Sequence, residues 1–161
     1  MRTLALTLLF GFLAAWASSG LELGGIDEFD IVVEKLPAEV LRSGLSEPGL
    51  RSTIDSGLKS AGISPGDPSS ETFLYLKAVV MEVGAWPLKP SGYIYRIDLD
   101  LRQPAVLISN PGIIGQATSW HDGCLGATAH SPPQLRKVIT TTVQQYVNEF
   151  AQDYLAANPT R

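Results

Sequence analysis

Five residues with chemical reach fall within eleven positions of this chain: Trp120, His121, Asp122, Cys124 and His130. A thiol, two imidazoles and a carboxylate are the ingredients of nucleophilic catalysis, in which a thiolate is activated by an imidazole that a third group orients. The spacing works against that use. In a strand, His121 and Cys124 project to opposite faces, and catalytic partners normally come from separate elements. The plainer expectation is a small, half-buried thiol beside a Gly-rich turn made by Asp122-Gly123. As metal ligands the set is equally poor. It offers two His, one Cys and one Asp, with no second cluster to complete a tetrahedral site. No catalytic, cofactor-binding or metal-binding residue is therefore assigned.

Three further features have a site-like character. Trp120 is followed by Gly123 and Gly126, a spacing that lets the backbone turn tightly or approach another surface closely. Trp86 lies beside Pro87 and Leu88 in a connection, where an exposed indole makes a good interface anchor. Trp86, Trp120, Gly123 and Gly126 are accordingly the candidate partner contacts. Asp98 and Asp100 share one strand face as paired catalytic carboxylates would, but Arg96 and Arg102 flank them, and a salt-bridged surface is the simpler account. The chain holds no phosphate-binding loop, no Gly-x-Ser-x-Gly elbow, no His-Glu-x-x-His and no Cys-x-x-Cys.

The elements that must position these residues begin after an export signal. Met1-Arg2 is a short positive region, Thr3 to Trp16 is uncharged and mostly apolar, and Ala15-Trp16-Ala17 places small residues at a cleavage site. This pattern predicts a secretory signal peptide over residues 1–17, too short to stay as a membrane anchor, and a single domain over residues 18–161. The expected address is the periplasm, with no integral span after cleavage. Because Cys124 is the only cysteine, no lipobox follows the signal, and no internal disulfide is possible. The chain has a formal charge of −4, and −5 after loss of Arg2, without a Lys/Arg cluster, which argues against nucleic acid as a partner.

Along the mature chain, Phe29 to Val33 reads as a strand, and Ala38 to Leu45 as a helical turn. Ser46 caps a helix through Leu50, Ile54 and Leu58 that Gly62 stops. Phe73 to Val83 is a long strand. In the next, Tyr93, Tyr95, Ile97, Leu99 and Leu101 turn to the core, and Ile94, Arg96, Asp98, Asp100 and Arg102 to water. Pro104 ends or bends that strand, Val106-Leu107-Ile108 continues it briefly, Asn110-Pro111-Gly112 turns the chain, and Ile113 to Trp120 forms another strand before the Gly-rich segment. Ser131-Pro132 then opens a long amphipathic helix. The order β-α-β-β-β-α predicts an α+β two-layer sandwich, a mostly antiparallel sheet with helices on one face.

The stretch Ala-Thr-Ser-Trp-His-Asp-Gly-Cys-Leu-Gly (117–126), together with Val147 to Pro159, resembles a family of small exported bacterial proteins of unknown function. In element order the chain is also similar to periplasmic α+β modules, namely the amino-terminal domain of the Tol-system propeller protein and the lipopolysaccharide-assembly lipoprotein. Those resemblances, with the absence of catalytic templates, point to a non-enzymatic binding or assembly module accessory to a cell-envelope protein complex. The alternative is a small exported enzyme or thiol-dependent sensor using Cys124 with His121 or His130.

Overall fold

A computed structural model describes residues 23–66, 68–84 and 91–159. The signal segment 1–17 and Trp86 lie outside the described residues. The fold is α+β. A sheet of four strands, β1 (Asp30–Val33), β2 (Phe73–Val83), β3 (Gly92–Leu107) and β4 (Asn110–Ala129), runs in the order β1-β2-β3-β4. Helices α1 (Ala38–Arg42), α2 (Glu47–Ser60) and α3 (Pro132–Ala157) accompany it on one face.

β2, β3 and β4 are antiparallel neighbours, whereas β1 pairs β2 in parallel, Ile31 opposite Leu74 and Val33 opposite Leu76. Two adjacent parallel strands need a crossover, and α1 with α2 supplies it, so the expected opening β-α-β is a parallel unit, a pairing that the sequence pattern did not disclose. Alternation works as expected on β2. Leu74, Leu76, Ala78 and Val80 are buried beneath the helices, and Lys77, Val79 and Met81 point the other way.

The helices begin and end for local reasons. Ser46 Oγ accepts the Gly49 N–H at 3.2 Å, and Pro48 sits in the first turn, where no N–H partner is lost. At the other end of α2, Gly62 adopts φ +82°, while the N–H groups of Ile63 and Gly62 return to the carbonyls of Leu58 and Lys59. Within α2, Gly57 is the close-contact point with α3: a Cβ there would lie 2.7 Å from Val147 Cγ1. A residue that costs helix propensity thus permits the helices to pack.

The core is continuous. Phe29 and Phe150 meet edge-to-face at 5.6 Å, Trp120 meets Phe150 at 5.1 Å, and Leu74, Ile97, Leu99 and Leu101 line the sheet beneath them. Both ends of the described chain are tied in. Tyr154 donates to the Ile26 carbonyl at 2.6 Å, and Asn158 Nδ2 to that of Leu23 at 3.0 Å.

β3 passes Pro104 and continues through Val106 and Leu107 as expected; past Arg102 no strand among the described residues pairs it on the β2 side, and an edge tolerates the missing N–H. Two expectations for the β3–β4 region are corrected. Asn110-Pro111-Gly112 does not turn the chain, because it already belongs to β4 and the turn falls at Ile108-Ser109. Nor is Asp122-Gly123-Cys124-Leu125-Gly126 a turn. It lies inside β4, where Gly123 pairs Asp98 and Gly126 pairs Tyr95. Both glycines make room for the neighbouring strand. A Cβ at Gly123 would sit 2.5 Å from Asp98 Oδ1, and one at Gly126 only 2.4 Å from the Tyr95 hydroxyl.

Candidate functional site on the open face of the sheet

Because the helices cover one face, the other displays the side chains of alternate residues of β2, β3 and β4. Its centre is charged. Arg96 Nε donates to both carboxylate oxygens of Asp98, at 3.0 and 2.8 Å. Arg102 donates to Asp100 Oδ2 at 2.8 Å, and its guanidinium lies 4.0 Å over the Tyr75 ring. The second oxygen of Asp100 is 2.7 Å from His121 Nδ1. Since a carboxylate only accepts, His121 carries its proton on Nδ1, and in the neutral ring Nε2 presents a lone pair.

These groups line a basin of about 570 Å³ that also includes Lys77 and Thr118. Thr118 reaches this face only because β4 slips register between Trp120, opposite Leu101, and Thr118, opposite Arg102. At the basin's edge Tyr75 is held above its ordinary pKa, by burial first and then by hydrogen bonding to Glu34. Toward the other end of the strands the face turns apolar, with Val79, Met81, Ile94 and Leu125 all exposed.

Charge on this face is layered. The side chains of Asp98 and Asp100 are only 10% and 11% exposed, whereas those of Arg96 and Lys77 are 61% and 45% exposed. The expectation that the outer residues of β3 all face water therefore fails for the two aspartates. They occupy the outer face, yet the flanking guanidiniums cover them, and a buried carboxylate requires such a partner.

The five residues singled out in the sequence are dispersed. Trp120 is buried beneath α3 and donates through its indole N–H to Asp153 Oδ2 at 2.8 Å. Asp122 lies two residues on, against α3, hydrogen-bonded to Glu149. Burial first, then that hydrogen bond and the Glu149 charge, push its carboxyl up to about 6, while the same bond holds Glu149 low. Cys124 is half-buried and meets Tyr146, whose hydroxyl is pushed up by burial and then by this contact. His130 stacks on Tyr93 at 4.7 Å and reaches Glu82 at 3.5 Å. Cys124 and His121 thus sit on opposite faces of β4, and each has a different partner. Among the described residues no three His, Cys, Asp or Glu groups are placed to hold a metal ion, and no helix is long and apolar enough to cross a membrane.

Of the candidate contacts, Gly123 belongs to the open face, because its missing side chain admits the Asp98 carboxylate. Of the basin's other members, Asp98, Asp100, Arg96 and Arg102 were legible as a salt-bridged strand face, and the ion pairs are present. That Lys77, Thr118 and His121 join them depends on the pairing of β2 and β4 with β3, which no local pattern encodes.

No family model and no curated protein matches the chain. Among solved structures it is similar to rare lipoprotein B from Shewanella oneidensis, at 10% identity over 83% of this chain and 95% of that one, with a TM-score of 0.34. It is also similar to a lipoprotein candidate from Caulobacter crescentus, at 17% identity over 86% and 90% of the two chains, with a TM-score of 0.24. At this level of identity and superposition nothing about function follows from either.

Proposed function

We propose that the chain is a non-enzymatic binding module of the cell envelope, exported by its amino-terminal signal. Its open sheet face receives an acidic, partly apolar segment of an envelope protein. The layering of charge carries this reading. In a chain of net charge −4, Arg96 stands outermost on this face over the buried aspartates, with Lys77 beside it, 3.9 Å from Glu34. Such a surface offers a partner positive charge at the rim and a fixed, hydrogen-bonded floor, with the apolar strip at Met81, Ile94 and Leu125 beside it. The absence of catalytic templates from the sequence and the separation of Cys124 from both imidazoles support binding over catalysis.

The test is photo-cross-linking in intact cells from a residue placed at Leu125, which is exposed and pairs with Arg96 across the strands. A discrete envelope protein is expected to cross-link from Leu125 and from Met81, and not from Gln152 on the exposed side of α3. Arg96→Glu should remove the adduct while leaving the circular dichroism spectrum unchanged. Equal adducts from Gln152, or none from Leu125 and Met81, would sink the proposal.

A further inference from the structure

Beyond Arg102 the β3–β4 hairpin outruns the rest of the sheet. β2 pairs β3 only to Phe73 opposite Arg102, whereas β3 and β4 stay paired to Leu107 opposite Asn110. No charged residue occurs between Arg102 and His121. Ile108 at the tip and Ile114 on β4 are 99% and 71% exposed. The outer edge of β4 pairs with no strand among the described residues. Edges of this kind are normally protected by lysine, proline or inward charge, since their free N–H and C=O groups template pairing with another chain. Pro111 and the bulge at Ser119 protect the two ends of this edge, but between them, from Gly112 to Thr118, it has neither charge, proline nor bulge.

We propose that β4 pairs antiparallel with β4 of a second copy, about a two-fold axis at Gly115, to make one continuous eight-stranded sheet. Gly115 is the midpoint of the uncharged run Asn110–Trp120, and a Cβ there would meet nothing within 4 Å, so the axis is unobstructed. This register sets Gly112 opposite Thr118, Ile113 opposite Ala117 and Ile114 opposite Gln116, with Pro111 and the bulged Ser119 facing each other at the ends. Every pair is neutral, and His121 and Asp122 fall opposite the partner's turn at Ile108-Ser109, outside the paired run. A two-fold axis repeats the same patch on both subunits, and a self-complementary uncharged strand satisfies that condition without further requirement. A strand from another protein would have to match this neutrality independently. The net negative charge of each copy lies away from the seam and is screened beyond about 8 Å at physiological ionic strength.

The regular run of about seven residues a side is well below the ~20–30 residues a side of a standard interface, so the dimer is a weak, reversible one. The two open faces would lie on the same side of the joined sheet, but the partner-binding reading above does not depend on the dimer.

Sedimentation of the exported, processed chain across a concentration series covers the self-association. A reversible monomer–dimer equilibrium is expected, weakened at least tenfold by Ile114→Lys, which puts a charge on an exposed position of the edge. Independently, Gly115→Cys in a Cys124→Ala background should oxidise to a covalent dimer, since facing residues of antiparallel strands lie within disulfide reach. Asn110→Cys, which lies outside the paired run, should not. A monomer at all concentrations, growth past the dimer, or equal cross-linking from both cysteines overturns the proposal. The sedimentation result uses the native Cys124 and stands even where a cysteine variant fails to fold.

Discussion

Asp122 on β4 and Glu149 on α3 meet carboxyl to carboxyl across the seam where the edge strand meets the long helix. Burial and the neighbouring carboxylate push Asp122 up to about 6, and its hydrogen bond holds Glu149 low. A carboxyl whose folded pKa exceeds its unfolded value stabilises the fold fully below the unfolded pKa, and that contribution disappears as pH rises through the folded one. Glu149 has the opposite sign, its contribution being lost only as pH falls through its own lowered value. Between about 4.5 and 7 the Asp122 effect stands alone, so stability should fall as pH rises. His121 acts on Asp122 in the opposite, lowering sense, and Cys124, Tyr146 and Gln145 complete the surroundings. Asp122→Asn keeps a donor for Glu149 and removes the repulsion. Thermal unfolding of this variant should be nearly flat over that window and more stable than the parent at pH 8, by about 0.5 kcal/mol given the seam's partial exposure.

Trp120 anchors the same seam two residues earlier. Its indole N–H reaches Asp153 and its ring packs on Phe150. Trp120→Phe keeps most of the packing and removes the donor, at an expected cost of about 1–3 kcal/mol. Trp120→Ala also opens a cavity and should cost about 3–5 kcal/mol. Chemical denaturation with both variants separates the two contributions. A smaller loss for Trp120→Ala than for Trp120→Phe would contradict the packing described.

Gly57 makes the opposite kind of test. In an isolated helix Gly→Ala gains about 1 kcal/mol. Here the added methyl would stand 2.7 Å from Val147 Cγ1, where neither helix can yield without cost, and overpacking of this kind costs about 1–3 kcal/mol. Gly57→Ala should therefore destabilise the fold, and Val147→Ala in the same chain should recover part of the loss. A double-mutant cycle in urea measures that coupling.

These residues mark what the sequence could and could not disclose. The start of α2 was legible because Ser46, Glu47 and Pro48 act on backbone within one turn of themselves, and the β3 faces were legible because alternation is local. The role of Gly57 is not legible locally, where glycine only lowers helix propensity, because Val147 lies ninety residues away. Asp122-Gly123 read as a turn for the same reason. Its local chemistry is that of turns, and the features that make it strand are the Asp98 carboxylate and the Tyr95 ring, which fill the spaces its glycines leave. Alternation correctly put Asp98 and Asp100 on the outer face. The flanking Arg96 and Arg102 also pointed correctly to the ion pairs these aspartates make; what the residue order could not show is how nearly the two carboxylates are covered, since that depends on the neighbouring strands as well.

Gly123 also supports the basin, so its substitution should separate site from fold. A methyl at this position would lie 2.5 Å from Asp98 Oδ1 and 3.0 Å from the His121 ring. In Gly123→Ala, Asp98 is expected to swing away from the bidentate grip of Arg96, with a loss of about 1–3 kcal/mol as the buried carboxylate loses its partner. Cross-linking from Leu125 should fall in parallel, whereas Gly126→Ala, which meets Tyr95 instead, should destabilise the chain without altering which partner is captured.

The Asp100–His121 contact fixes a tautomer, and that can be read directly. Asp100 accepts from Arg102 through one oxygen and faces His121 Nδ1 at 2.7 Å through the other, so it has no proton to offer the ring. In neutral His121 the proton must then sit on Nδ1, with Nε2 bare toward the basin. Nitrogen-15 correlation spectra at pH 8 should show the Nδ1–H form in the parent. In Asp100→Ala the ring loses its acceptor and should relax toward the Nε2–H form, while His130, stacked on Tyr93 away from this site, stays as it was. An Nε2–H signal for His121 in the parent would mean that Asp100 does not orient the ring, and that the floor of the basin is not organised as described.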